Sequence, residues 1–441
     1  MTEPLDLTIG SSRVVLPGGV APAWIGVREG RIHSIEQDRP SHAGRVLDCG
    51  DLVVMAGVVD PHVHFNQPGR TEWEGFATGT SGAAAGGVTC VIDMPLNCDP
   101  LTTTRDALER KRASIAPDAR IDFCLWGGIV PGNTHELRAM HDAGVPGFKC
   151  FLVDSGIEGF GATTREGLLE AMREIATLGS VLLVHAEDPA RVRPAPSSAR
   201  YADYLASRPI ESETSAIETV IDCARETGCR THVVHVSSGA GAALIRDAAA
   251  ADVPISGETC AHYLTFASDE IPDGATEFKC APPIREPAER DALWDALLDG
   301  SLSMVTSDHS PCPPSMKPRG DFSRAWGGVS SVELLLRAVW SGASARGIGI
   351  ERVAEWLCDT PARLARLPKG RLAPGYDADL VVWNPEEHHV IDATRLHQRH
   401  PVTPYDARTL TGRVHRTFVR GTEVFGPDAD ERFRGREVPA R

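Results

Sequence analysis

The chain has 441 residues and a formal net charge of −15 at pH 7, so it is long enough for one large domain with a small accessory domain. The negative charge argues against a nucleic-acid partner, because no cluster of basic residues is available to neutralise phosphates. No apolar run approaches the length of a membrane span, and the first residues lack the pattern of a secretory signal.

Apolar, β-branched segments recur along the chain, and the stretches between them are long enough to hold helices. Eight of these segments are predicted strands, at residues 57–64, 88–94, 121–130, 146–153, 180–186, 231–236, 253–258 and 302–307. Helical patterns between them include residues 105–115 and 213–226. Eight strands that alternate with helices predict an α/β fold, a (β/α)₈ TIM barrel, whose chemistry lies where the strands end at the C-terminal face.

The two ends of the chain have a different pattern from the middle. Residues 1–55 and 370–441 contain short runs of valine, isoleucine and leucine that glycine and proline interrupt. We therefore predict that both termini pair as strands of a small β-sandwich domain, while residues 56–369 form the barrel.

Two histidines mark the end of the first predicted barrel strand. Because side chains alternate along an extended strand, His62 and His64 point to the same side, one pleat apart. Such a pair can bind one metal ion, although a strand can also carry two histidines on a wet face for no catalytic reason. Four later segments favour the metal-binding interpretation.

The first of these segments contains Lys149, in an apolar, strand-like stretch where burying an ammonium group is costly. Burial would lower the pKa of this lysine and leave a neutral amine. A neutral amine can add CO₂ to form a carbamate, whose two oxygens can bridge two metal ions. The alternative is a lysine that reaches solvent or joins a salt bridge.

Three further candidates lie at the ends of later strands: His185 closes the fifth, His235 the sixth, and Asp308 the eighth. His232 and His235 are three positions apart, so only one of them can face the site if the strand is regular. We expect His232 to pack on the outer side. Side chains from strands 1, 4, 5, 6 and 8 would then converge at one mouth of the barrel.

Cysteine use predicts a cytoplasmic protein. The eleven cysteines are an odd number and include no Cys-x-x-Cys pair, which fits free thiols in a reducing compartment. Cys150, Cys280 and Cys312 lie beside the predicted site strands, and we interpret them as small apolar packing residues.

The six candidates, in this order and on these strands, resemble the amidohydrolase superfamily of metal-dependent barrel hydrolases, in its cyclic-amidase branch. Within that branch, the finer strings are similar to those of the allantoinase family. These strings occupy residues 64–76, 94–97, 148–151, 279–285, 307–314 and 325–330. The resemblance covers residues 5 to 425, and it is specific because many independent strings agree in order.

The resemblance implies a binuclear centre with two divalent metal ions per subunit. The first ion would be held by His62, His64, Lys149 and Asp308, and the second by Lys149, His185 and His235. Zinc is the expected metal, although the same ligands suit cobalt, manganese or iron. Lys149 would be N6-carboxylated by CO₂, and Asp308 would serve a bridging hydroxide as general base and then act as acid. A homotetramer is also implied.

Three functions fit this interpretation. The first is hydrolysis of the ring amide of allantoin to allantoate, a step of ureide and purine catabolism with a small-molecule substrate. The second keeps the chemistry and changes the substrate, as in dihydroorotase, hydantoinase or dihydropyrimidinase. The third is a non-catalytic scaffold, since barrels of this branch can lose their metals. The presence of all six ligand positions argues against the scaffold.

The choice among these substrates depends on two residues that related enzymes have and this chain lacks. Dihydroorotase-like enzymes carry an arginine two residues after the second histidine, to pair with a carboxylate, and this chain has Asn66 there. Hydantoinase-like enzymes usually carry a tyrosine five residues after the bridging lysine, where this chain has Asp154. The candidates for binding a neutral ureide are therefore Asn66, Asn97 and the backbone around Ala281 and Gly327.

Overall fold

The structure is a computed structural model that describes residues 4–40 and 43–440. Its strands, in chain order, are β1 (Leu5–Leu16), β2 (Gly19–Arg28), β3 (Arg31–Glu36), β4 (Ala43–Asp48), β5 (Val53–Ala56), β6 (Val58–Val63), β7 (Val88–Asp93), β8 (Asp122–Leu125), β9 (Gly127–Gly128), β10 (Gly147–Phe151), β11 (Val181–His185), β12 (Arg230–Val233), β13 (Ile255–Cys260), β14 (Met304–Thr306), β15 (Leu380–Val390), β16 (Thr409–Val419) and β17 (Thr422–Phe425).

The helices are α1 (Phe76–Ala85), α2 (Arg105–Ile115), α3 (Leu137–Asp142), α4 (Arg165–Leu178), α5 (Tyr201–Ser207), α6 (Ile210–Thr227), α7 (Gly239–Ala250), α8 (Ala261–Thr265), α9 (Pro287–Leu298), α10 (Leu335–Ala345), α11 (Ile350–Ala354) and α12 (Thr360–Leu364). A π-helical turn, Glu355–Asp359, joins the last two. Within the described residues, none of these helices combines the length and the hydrophobicity that a membrane crossing requires.

The barrel is a ring of parallel strands. Strand pairing runs from β6 through β7 to β8, and from β9 through β10, β11, β12 and β13 to β14, with β8 and β9 separated only by Trp126. The ring closes between β14 and β6, where Val63 and His309 form a parallel bridge and the N–H of His64 donates to the carbonyl of His309 at 2.7 Å. These strands are buried on both faces, as a parallel sheet under helices requires. The predicted TIM barrel is confirmed.

Strands from both ends of the chain form a second sheet beside the barrel. Its order is β17-β16-β15-β5-β1-β2-β3, with β4 paired to β1. β15 pairs antiparallel with β5, so the C-terminal strands lie against a strand that leads directly into the barrel at β6. The predicted fold class, a barrel with a β domain formed by the two termini, is confirmed. The domain bounds, residues 1–55 with 370–441 and residues 56–369, stay a prediction.

Helix boundaries follow from local signals. Helix α2 begins after Thr104, whose side chain accepts a hydrogen bond from the N–H of Ala107. Helix α4 ends at Gly179, whose left-handed φ of 63° any L side chain would adopt only at a cost. The helix predicted at residues 105–115 has those bounds, and the one predicted at 213–226 begins three residues earlier, after Pro209.

Candidate metal centre and active site

The six predicted ligands meet at the C-terminal end of the barrel strands. They line one cavity of about 910 Å³, and the most exposed of them is only 7% exposed. Their rings are close: the centroid of His62 lies 5.6 Å from that of His64 and 5.4 Å from that of His235, and His185 lies 4.5 Å from His235. The structure therefore brings together residues that are up to 246 positions apart in the chain.

One half of the site is formed by His62, His64 and Asp308. Nε2 of His62 lies 3.1 Å and Nε2 of His64 lies 3.5 Å from the same oxygen, Oδ1 of Asp308. One ligand atom from each of the three residues lies within 4.8 Å of the others. Imidazole nitrogens and a carboxylate oxygen converging on one point fit a divalent metal ion.

The other half contains His185 and His235. Burial lowers the pKa of both rings, so both are neutral near pH 7, which is the form that binds metals. Phe151 stacks on His185 with ring centroids 4.3 Å apart. Nδ1 of His235 is buried and has no hydrogen-bond partner among the described residues. A buried, unpartnered imidazole nitrogen is explained if a metal ion is its natural partner.

Lys149 differs from the other four lysines of the chain. Those four contact carbonyl or carboxylate oxygens: Lys111, Lys279, Lys317 and Lys369. Lys149 is 1% exposed, and within residues 4–40 and 43–440 its Nζ has no hydrogen-bond or ion-pair partner. Its Nζ lies over the ring of Phe151, 4.9 Å from the ring centroid. Burial lowers the pKa of Lys149 to about 8, so a larger share of this amine is neutral near pH 7 than for an ordinary lysine.

A buried glutamate orients His62. Oε1 of Glu258 lies 2.6 Å from Nδ1 of His62, and Oε2 lies 3.1 Å from Nε2 of His232. Burial would raise the pKa of Glu258, but its contacts with His62 and His232 bring it down to about 2. A carboxylate on Nδ1 leaves Nε2 of His62 free to face the cavity.

The prediction that His232 packs on the outer side of its strand is wrong. Through Glu258, it shares a partner with His62 and so lies on the inner side of the barrel. Strand β12 ends at Val233, and His235 has a left-handed backbone with φ of 42°. Side-chain alternation does not extend past the strand end, so His232 and His235 both face inward, at different depths.

A second buried glutamate holds His185. Oε2 of Glu187 lies 2.8 Å from Nε2 of His185 and also accepts a hydrogen bond from the guanidinium of Arg208. Burial would raise the pKa of Glu187, but Arg208 and His185 lower it to about 2. Glu187 and Glu258 were not predicted from the sequence. Two features of the sequence could have indicated them: Glu187 follows His185 by two residues, and Glu258 is a charged residue in the apolar stretch predicted as the seventh strand.

Four of the predicted site residues have a left-handed backbone. The φ angle is 42° at His235, 44° at Asp308, 64° at Asn66 and 68° at Asn97. This conformation is uncommon outside glycine, and asparagine tolerates it better than histidine does. Strained backbones of this kind collect at functional sites, where surrounding contacts hold them. Here they turn side chains toward the mouth just after the strands end.

Three of the four predicted substrate-binding residues line the cavity, and the fourth does not. Asn97, Ala281 and Gly327 line the cavity. Asn66 is 1% exposed and is not part of the cavity wall; its amide nitrogen lies 3.4 Å from the carbonyl of Pro311. Asp154 lines the cavity, and its carboxylate accepts a hydrogen bond from the N–H of Gly156 at 3.0 Å. It accepts hydrogen bonds and, as a carboxylate, cannot donate one to a substrate oxygen.

Comparison with known proteins agrees with this geometry. The sequence pattern of the amidohydrolase family matches residues 53–424. The allantoinase of Streptomyces avermitilis is 46% identical, with 95% of each chain covered. The allantoinase of Saccharomyces cerevisiae is 39% identical, with 93% of this chain and 88% of the yeast protein covered.

Solved structures show the same architecture. The L-hydantoinase (dihydropyrimidinase) from Arthrobacter aurescens has a TM-score of 0.93 and 33% identity, with 99% of this chain and 100% of that chain covered. A D-hydantoinase structure has a TM-score of 0.89 and 24% identity, with 99% of each chain covered, and supports the fold alone. The chain therefore belongs to the amidohydrolase family of metal-dependent hydrolases, within which it groups with the allantoinases.

Proposed function

We propose that the protein hydrolyses the ring amide of allantoin and releases allantoate. The observation that carries this proposal is the convergence of four histidines, one buried lysine and one aspartate on a single cavity. The relatives that are 39% to 46% identical over nearly the whole chain are named for this activity, which supports allantoin over other cyclic amides. Hydantoin hydrolysis is the second candidate, because the L-hydantoinase structure has a TM-score of 0.93.

The donor set fits two divalent ions. We propose that His62, His64 and Asp308 hold one ion and that His185 and His235 hold the other, with Lys149 as a ligand to both. Zinc suits these nitrogen and oxygen donors, as do cobalt, manganese and iron. When bound, the ions would lower the pKa of water and polarise the ring carbonyl.

Lys149 would bridge the ions as a carbamate. Its neutral Nζ adds CO₂ with loss of one proton, which gives an anion with two oxygen donors in place of an ammonium group. Two observations support this proposal: Nζ has no oxygen partner among the described residues, and its pKa is lowered to about 8. Both raise the share of neutral amine that can add CO₂. Loading the enzyme with ¹³C-bicarbonate should give a carbamate carbon signal in NMR that Lys149→Ala lacks. An unmodified ammonium at full metal occupancy would contradict the proposal.

Asp308 would move the proton during hydrolysis. Burial would raise the pKa of Asp308, but His62 and His64 hold it well below its usual value, so this side chain is a carboxylate at neutral pH. It can therefore accept a proton from the attacking water and return it to the ring nitrogen as the C–N bond breaks. Loss of Asp308 would remove a metal ligand and a proton carrier together.

Allantoin is a neutral ureide, and polar groups that line the cavity would recognise it. We propose that Asn97 and the backbone groups of Ala281 and Gly327 bind its ring amide and ureido arm. Asn66, which lies behind the cavity wall, would shape the loop that follows His64. Asn66 and Asp154 stand where related enzymes acting on dihydroorotate or hydantoins have an arginine and a tyrosine, which argues against those substrates.

A substrate panel tests this proposal. The metal-loaded enzyme should show a much higher kcat/KM for allantoin than for dihydroorotate or 5-substituted hydantoins, because polar groups left unpaired by the wrong substrate disfavour it. Equal values would make the substrate assignment wrong. Elemental analysis of the same preparation should find two divalent ions per chain, and a value of one or less would contradict the binuclear centre.

We also propose a cytoplasmic homotetramer. All eleven cysteines are free and buried, which supports a reducing compartment. The tetramer rests on the resemblance to the cyclic-amidase branch alone. Light scattering during size-exclusion chromatography of the metal-loaded protein tests it, and a monomer mass at micromolar concentration would contradict it.

A further inference from the structure

A second cavity lies between helix α10, strands β16 and β17, and the segment 391–397. Its volume is about 530 Å³, and none of its lining residues belongs to the metal centre. Four arginines, three histidines and three carboxylates line it: Arg120, Arg337, Arg395, Arg413, His389, His397, His415, Glu333, Asp392 and Glu431. Arginines therefore outnumber carboxylates at this cavity, although the whole chain has a net charge of −15.

Arg337 is the buried arginine of this cavity. It projects from α10, its residue is 9% exposed, and its buried Nε has no hydrogen-bond partner among the described residues. No carboxylate oxygen of the described residues lies within 4.0 Å of its guanidinium nitrogens. Burial lowers the pKa of Arg337, Glu333 raises it, and Arg413 lowers it further. An unpaired buried charge is costly, so such groups usually have a partner.

Two of the three carboxylates that line the cavity already accept hydrogen bonds, and the third, Glu431, forms no ion pair with Arg337 within the described residues. Oε2 of Glu333 accepts hydrogen bonds from the backbone N–H of His397 at 2.8 Å and from its ring at 3.2 Å. Oδ1 of Asp392 accepts from the backbone and hydroxyl of Thr394, at 3.0 and 2.6 Å. The chain itself therefore supplies no oxyanion that pairs directly with Arg337.

We propose that this cavity binds a small organic acid or phosphate ester whose oxyanion pairs with Arg337. A planar guanidinium matches a carboxylate or phosphate with two parallel hydrogen bonds. The cavity is much larger than an oxyanion, and Leu396, Val424 and Phe425 give it apolar walls for the carbon part of such a ligand. Arg395, which is exposed at the rim, adds a second positive charge.

Binding of succinate and of inorganic phosphate to the metal-loaded protein, measured by calorimetry at constant ionic strength, tests the proposal. At least one of them should bind to the wild type, and Arg337→Gln should weaken that binding tenfold or more. Arg395→Gln, a change at an exposed position, should also weaken it. Hydrogen exchange should show protection of residues 391–397 on addition of the anion. The comparison of succinate with phosphate distinguishes a carboxylate ligand from a phosphate ligand.

Arg346→Gln is the matched control, because Arg346 follows the end of α10 and pairs with Asp291 at 2.8 Å outside this cavity. It should leave anion binding unchanged. The proposal is overturned if neither anion binds, if Arg337→Gln binds as tightly as the wild type, or if protection appears only around the metal centre. A change of subunit number in Arg337→Gln would also overturn it, since a second copy of the chain would then cover the cavity.

Discussion

Glu258 fixes the direction in which His62 presents its free nitrogen. Its carboxylate faces three donors, because Nδ1 of His62 and the hydroxyl of Thr306 lie 2.6 and 3.1 Å from Oε1, and Nε2 of His232 lies 3.1 Å from Oε2. A carboxylate satisfies all three, since it only accepts hydrogen bonds. This arrangement keeps the proton of His62 on Nδ1 and leaves Nε2 available beside Asp308.

We therefore predict that Glu258→Gln weakens the metal centre. The glutamine amide group offers donors on one side, so either His62 or His232 loses its acceptor and the tautomer of His62 is no longer fixed. Metal affinity should fall by about 10- to 100-fold, the usual cost of losing a group that orients a ligand. Competition with a chelating dye measures the affinity.

Glu218→Gln is the control for this prediction, because Glu218 is exposed on α6. It should bind metal as the wild type does. Activity of Glu258→Gln should recover at saturating metal more fully than that of Asp308→Ala, which also loses its proton carrier. Unchanged metal affinity in Glu258→Gln would show that His62 needs no support from the seventh barrel strand.

At the residue scale, the sequence predicted the groups that have unusual chemistry for their position. His62 and His64 stand out because two histidines on one side of a strand can bind one metal ion, and Lys149 because an ammonium group is costly to bury in an apolar strand. Glu258 was missed since its role depends on a contact 196 positions away, and no local pattern reports such a contact. His232 was placed on the wrong side because strand alternation was extended past the actual strand end at Val233.

At the element scale, Lys317 connects two segments of the cavity mouth, residues 276–281 and 327–328, by hydrogen bonds. Nζ of Lys317 donates to the carbonyls of Thr276, Lys279 and Gly328, at 3.2, 3.1 and 2.7 Å. The N–H of Gly328 also donates to the carbonyl of Lys279 at 2.8 Å. These contacts flank Ala281 and Gly327, the proposed substrate-binding backbone groups, so Lys317 sets the distance between them.

Lys317→Met should therefore impair substrate binding more than chemistry. Three buried carbonyls lose their donor, the two segments move apart, and the backbone groups no longer match one substrate. We expect KM for allantoin to rise about tenfold, equivalent to roughly 1.4 kcal/mol of binding, with kcat much less affected. Steady-state kinetics measure both. Arg319→Gln, at an exposed position in the same segment, is the control, and a fall confined to kcat would contradict this role.

The order and type of the elements could be predicted because each barrel strand is a short apolar run between helical stretches. The residues at which these elements end could not be predicted. Residues 121–130 were predicted as one strand and form β8 and β9, interrupted at Trp126, whose indole donates to the carbonyl of Pro61 at 2.8 Å. Tertiary contacts of this kind decide where a strand stops pairing.

At the scale of the whole molecule, a buried charge cluster joins the barrel to the terminal sheet. Nζ of Lys369 lies 2.9 Å from Asp122 of β8, and 3.0 and 2.6 Å from Asp377 and Asp379, which precede β15. Arg420, after β16, also contacts Asp122 and donates its N–H to Asp379 at 2.8 Å. Burial opposes the charge of Lys369, but Asp379 and Asp122 raise its pKa above the usual value.

Removing that one positive charge should destabilise the junction of barrel and sheet. Lys369→Met leaves three buried aspartates with two cations, Arg420 beside Asp122 and the half-exposed Arg31 at 3.7 Å from Asp377. Breaking a buried ion pair by deleting one partner costs roughly 3–5 kcal/mol. Urea unfolding followed by circular dichroism should therefore show a clearly lower midpoint. Asp377→Asn, which keeps Lys369 and two of its carboxylates, should have a much smaller effect. Because the cluster lies away from the metal ligands, folded Lys369→Met should keep the wild-type KM. An unchanged midpoint would mean that the sheet is held to the barrel by apolar packing alone.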